Sequence, residues 1–114
     1  MNIKRGSIFL AALDPSVGHE IAKTRPVVIV SNDQNNTYAG TVTVLPITSK
    51  NTAKAYPFEA LLPKGAGDLP KDSKVKADQI RTLDKSRLVK FVGIIEEKMM
   101  AQIDKAIRIH LALF

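Results

Sequence analysis

A chain of 114 residues that is 45% apolar fits one globular domain and is too apolar to stay disordered. Seventeen Lys/Arg against eleven Asp/Glu leave a net charge of +6, a pull towards polyanions or an acidic protein partner. The lack of cysteine excludes disulfides and thiolate metal sites, and two histidines, His19 and His110, are too few for a histidine-built zinc or iron centre.

The basic pair Lys4-Arg5 and the apolar run Ile8 to Leu13 imitate a secretion signal. The run is cut short by Asp14-Pro15, and no small-residue cleavage pattern follows. Nothing approaches the roughly 18 apolar residues of a membrane-spanning helix. A soluble, cytoplasmic protein with no membrane association is expected.

Ser7 to Leu13 is apolar at both parities, as a central strand requires. Residues 14–24 form a polar loop with Pro15, Gly18, His19, Glu20 and Lys23, long for a link between neighbouring strands. Val27 to Ser31 is the most apolar strand. Pro26, lacking an N–H, is expected at its first position and holds Arg25 extended at its lip, where a planar guanidinium could grip a phosphate. Asn32 to Gly40 is turn-forming, with room for one helical turn. Thr41 to Leu45 alternates cleanly, Pro46 is expected to break it, and residues 48–52 make a hydroxyl-rich loop.

Phe58 to Leu62 reads as another short strand, and residues 63–72 as a loop without evident chemistry. Ser73 to Asp78 alternates with Val75 and Ala77 inward and Lys74, Lys76 and Asp78 outward. Asp84 to Arg87 reads as a single turn, and Leu88 to Ile95 as the last strand. From Glu96 to about Leu111 the period becomes helical, with Met99, Met100, Ile103, Ala106, Ile107, His110, Leu111 and Phe114 on one face. His110 reads as a packing residue. Roughly six or seven short antiparallel strands with one closing helix predict a small, strongly bent sheet or barrel. The Met-rich helix is one surface through which so small a chain could pair with itself.

Several phrases resemble the MazF/PemK-type toxins of toxin–antitoxin modules. They are Arg5-Gly6-Ser7-Ile8, Asp14-Pro15 with Gly18 and Glu20, Lys23-Thr24-Arg25-Pro26-Val27-Val28, Ser31-Asn32, Pro46-Ile47-Thr48, and Asp78-Gln79-Ile80-Arg81-Thr82. Met99-Met100 through Leu111-Ala112-Leu113 is similar to that family's C-terminal helix and leans towards its Gram-positive MazF branch. The phrases follow the family's order along nearly the whole chain.

The resemblance implies a mainly β, SH3-like barrel of the CcdB/PemK type with a C-terminal α-helix, working as a homodimer. It also implies an mRNA endoribonuclease that needs no metal or other cofactor. In that chemistry the ribose 2′-hydroxyl attacks the adjacent phosphate, leaving a 2′,3′-cyclic phosphate and a 5′-hydroxyl. The expected partners are single-stranded RNA and a cognate antitoxin whose acidic, extended tail lies over the RNA groove.

Because the substrate brings its own nucleophile, no Ser–His or Cys–His pair is needed. Arg25 matches the family's catalytic arginine and suits the non-bridging oxygens of the phosphorane. Thr48 matches the other catalytic residue; its hydroxyl can hold a phosphate oxygen or orient the 2′-OH, though in the residues alone it reads as a loop threonine bonded to its own backbone. The base stays open between Glu20, Asp78 and His19. Lys76 stands where the PemK-like branch has an arginine, which removes the fork from an Asp78-centred mechanism. Lys23, Ser31, Ser49, Lys50, Asp78 and Gln79 are the expected substrate contacts. Two readings from other classes compete: a non-catalytic SH3-like toxin that blocks a protein such as DNA gyrase, and an inactive nucleic-acid-binding barrel.

Overall fold

The computed structural model describes residues 2–114. Seven antiparallel strands, β1 (Ser7–Ala12), β2 (Thr24–Ile29), β3 (Thr41–Thr48), β4 (Glu59–Leu62), β5 (Ser73–Lys76), β6 (Arg81–Asp84) and β7 (Leu88–Ile94), form one bent sheet. Its order is β4-β5-β3-β2-β1-β7, with β6 also paired to β3. Helix α1 (Asp33–Tyr38) links β2 to β3, and α2 (Glu97–Leu111) closes the chain. This is the mainly β, antiparallel architecture with a C-terminal helix that the sequence predicts.

The central strands are buried on both faces, which explains their apolar residues at both parities. Ile8, Val28, Leu45 and Ile47 point to the side covered by Met100, Ile103 and Ala106 of α2. Phe9, Ala11, Val27, Ile29, Val42 and Val44 point the other way and are closed over by Leu83 and Leu88. On the Met-rich face of α2, one candidate surface for self-pairing, Met100 is buried in the chain's own core and Met99 packs partly buried against it. His110, Leu111 and Phe114 run past the sheet and are exposed, with the His110 ring 6.3 Å from that of Phe58.

β4 and β7 end the sheet path and do not pair with each other. The short 3-10 turn Ala66–Asp68 packs against β7 instead. The approach is so close that a Cβ on Gly93 would lie 2.2 Å from the carbonyl oxygen of Gly67. The 63–72 segment, expected to be a featureless loop, is thus clamped onto the barrel wall.

Two further expectations fail for physical reasons. β6 escapes the sequence because it is four residues long with one buried apolar side chain, Leu83. β5 has no solvent face: Ser73, Lys74 and Val75 are all buried, and Lys74 is only 6% exposed. Its ammonium is paired with buried Glu59 at 3.1 Å rather than with water.

Candidate active site

Two prolines decide where the site opens. Val30 donates to the Thr43 carbonyl at 2.9 Å, so odd residues of β3 address β2 and Pro46 addresses the opposite edge. That edge is taken by β6 up to Val44 and by β5 from Ile47, so the missing N–H of Pro46 falls between two ladders. Pro46 does not break the strand, as expected from sequence; it marks the change of partner. Gly6 donates to the Ile29 carbonyl at 2.8 Å, so Pro26 faces β3, one residue beyond the last β2–β3 pair, Val27↔Pro46. Pro26 therefore sits inside β2 rather than at its start. Past these prolines β3 swings from β2 to β5, and a cleft of about 410 Å³ opens between them.

Arg25 and Thr48 both line this cleft, with Ser49 and Lys50 beside them and Ile21 and Ile47 among its apolar walls. Arg25 is exposed and donates from Nε to the Ala22 carbonyl at 3.3 Å. No carboxylate pairs with it among the described residues. Thr48 Oγ1 accepts the Lys50 N–H at 3.2 Å, the backbone bond expected of a loop threonine, and its own hydroxyl proton remains available to a ligand.

Ile21 is also part of a second cavity of about 300 Å³, lined by Glu20, Asp78, Gln79 and Arg81. Glu20 and Asp78, the two acids considered as the base, therefore line one space, which shares Ile21 with the Arg25 cleft. Glu20 Oε1 accepts the Val17 N–H at 2.7 Å. Asp78 Oδ1 lies 3.8 Å from Lys76 Nζ, whose nearer partner is Glu59 Oε2 at 2.7 Å. Glu59 lies at the centre of this pairing. Burial alone would push its carboxyl up, but bonds from Lys76, the Tyr56 N–H and Lys74 together hold it below the usual carboxylate range.

The remaining expected contacts divide. Gln79 commits both ends of its amide: Oε1 accepts the Ile21 N–H at 2.7 Å, and Nε2 donates to the His19 carbonyl at 3.2 Å. It fastens the 14–23 loop and so fixes Glu20. Lys23 takes a left-handed backbone (φ 68°), with its N–H on Asp14 Oδ1 at 3.0 Å. Lys23 and His19 are exposed and line neither cavity. Ser31 lies in a third cavity of about 580 Å³ with Arg5, Asn32 and Arg108, which shares Ile80 with the second. Its hydroxyl donates to Asn36 Oδ1 at 2.5 Å and accepts the Thr43 N–H at 3.1 Å.

This geometry sits on a chain whose residues 4–111 match the model of the PemK-like, MazF-like toxins of type II toxin–antitoxin systems. The chain belongs to this family. It is 41% identical over 117 residues to the endoribonuclease MazF9 of Mycobacterium tuberculosis, covering 98% of each chain. It is 40% identical over 111 residues to the endoribonuclease MazF of Staphylococcus saprophyticus, covering 97% of this chain and 92% of that one. MazF from Deinococcus radiodurans has a similar fold, with a TM-score of 0.84 at 28% identity over 99% of both chains.

Reading the toxin's sequence missed Lys71 in the cleft and Arg81 beside Glu20. Arg81 carries a partial signal, since it lies in the Asp78 to Thr82 phrase, and its Nη1 donates to the Leu13 carbonyl at 3.3 Å. Lys71 carries none; only the fold brings it in. Among the described residues no three His, Asp or Glu side chains group as metal ligands, and no helix is long and apolar enough to cross a membrane.

Proposed function

We infer that this toxin is an endoribonuclease that cuts single-stranded RNA by transesterification, leaving a 2′,3′-cyclic phosphate and a 5′-hydroxyl. The observation that carries this reading is that Arg25 and Thr48, distant in sequence, line one cleft. Arg25 holds the non-bridging oxygens of the scissile phosphate as charge builds on them. Thr48 donates its free hydroxyl proton to one of those oxygens. Glu20, with Oε1 anchored on Val17, takes the 2′-OH proton at Oε2; the 2′-oxygen bonds to phosphorus, the P–O5′ bond breaks and the 5′-oxygen takes a proton from solvent water. Asp78 shares the adjoining cavity, and Ser49 and Lys50 contact the strand beside the scissile phosphate. Gln79 acts through the loop it fastens.

An antitoxin with an acidic, extended tail fits over the same cationic cleft and would shut it. The chain works as a homodimer in the cytoplasm. Val89, Phe91 and Ile94 on β7 are exposed apolar residues that support pairing with a second copy. A gyrase-blocking module would have no need of a guanidinium and a hydroxyl in one cleft. The reading is tested by Arg25→Ala in a single-turnover RNA cleavage assay. Loss of one preorganised charge-stabilising group should lower the rate on the order of 10²- to 10³-fold while the melting temperature is kept. Cleavage at the parent rate would remove Arg25 from the mechanism.

A further inference from the structure

Three cations converge on the Arg25 cleft from separate parts of the chain: Arg25 at the start of β2, Lys50 just past β3, and Lys71 in the segment before β5. No acidic residue lines this cleft, and none of the three cations is ion-paired among the described residues. Other cations of this chain are engaged in holding the fold. Arg5 pairs with Asp104, and Lys74 and Lys76 share Glu59. Arg81, Lys85 and Arg87 donate to the backbone carbonyls of Leu13, Asn36 and Ala12. The cleft thus holds three cations and no acid, with Arg25 steadied only by the neutral Ala22 carbonyl.

Lys71 is presented there by a built loop. Leu69 is buried and roots the segment, and the Ser73 hydroxyl donates to the Lys71 carbonyl at 2.9 Å. Asp72, the adjacent acid, accepts the Lys64 N–H at 2.8 Å. The same segment is pinned on β7 by the Gly67–Gly93 contact. A lysine is a point charge on a flexible stem, suited to a backbone phosphate rather than to reading a base edge by a fixed fork.

We propose that Lys71 binds an RNA backbone phosphate neighbouring the scissile one, gripping the strand irrespective of base sequence. The assignment rests on the RNA-cleaving reading above. With a single strand held by Arg25 and Thr48 at the scissile phosphate, Lys71 supplies one counterion-releasing contact beside it. Its contribution therefore falls on substrate capture rather than on the chemical step.

The test compares the full-length parent, Lys71→Gln, Lys71→Arg and Lys64→Gln on one cleavable oligoribonucleotide over a range of potassium chloride. For Lys71→Gln, KM should rise about tenfold at low salt, with the loss borne by KM rather than kcat. The slope of log KM against log salt should fall by roughly 0.7, the value for one phosphate contact on a single strand. Lys71→Arg should restore the slope. Lys64→Gln, on the same segment but outside the cleft, should keep the parent slope. An unchanged slope in a Lys71→Gln protein that melts like the parent, or an equal drop in Lys64→Gln, overturns the assignment while leaving the enzymatic reading in place. A parent chain that cuts no RNA overturns both.

Discussion

Arg25 spends its Nε on the Ala22 carbonyl at 3.3 Å and meets no acid among the described residues. A guanidinium held at one nitrogen and free at its two amino groups is aimed without being neutralised, which is what a phosphorane needs. Thr48 is a similar case, since Oγ1 accepts the Lys50 N–H and keeps its proton to give. Arg25 and Thr48 could be put forward from the sequence because each belongs to a local phrase shared with the family; the residues alone read Thr48 as a loop threonine. Lys71 was not, because its phrase has no chemistry until the 63–72 segment folds back against β7. Glu20→Gln belongs at this scale. Removing the proton acceptor should lower kcat about 10²-fold or more with KM for RNA little changed. A variant with the parent kcat would return the role of base to Asp78 or His19.

The alternation rule placed Lys74 in solvent, and it failed on β5 because that strand is covered on both sides. The fold tolerates the buried ammonium by pairing it with Glu59 at 3.1 Å and seating it on the Lys54 carbonyl at 3.2 Å. Helix α2 and the strands with a strong apolar period were readable. β6 and the partner change at Pro46 were not, because both depend on which strand lies alongside. Glu59 gives these elements a pH dependence. Its folded carboxyl sits below the usual carboxylate value, with burial opposing the shift and the bonds from Lys76, the Tyr56 N–H and Lys74 outweighing it. Its stabilising effect is therefore present above the unfolded value and lost as pH falls through the folded one. Glu59→Gln should cost about 3 kcal/mol at pH 7, read by denaturant unfolding, because it strands two lysines. The gap between variant and parent should narrow as the pH falls below the usual carboxylate range and through the lowered folded value of Glu59. A gap that does not depend on pH would mean that the Glu59 charge contributes nothing.

For the whole molecule, the net charge of +6 says little by itself, and its distribution says more. Arg25, Lys50 and Lys71 line the cleft where β3 leaves β2 with no acid among them, whereas Lys74 and Lys76 of β5 are paired with Glu59 of β4. The β2–β3 ladder ends at the Val27↔Pro46 pair, and Arg25, Thr48, Lys50 and Lys71 line the cleft beyond it. In this account the sheet's change of partner makes the groove, and the RNA supplies the nucleophile. The most direct measurement is to incubate the purified chain with a long single-stranded RNA in excess EDTA and identify the new ends. Discrete cuts ending in 2′,3′-cyclic phosphates and 5′-hydroxyls are predicted. Intact RNA, or ends carrying 3′-hydroxyls and 5′-phosphates, would contradict the account.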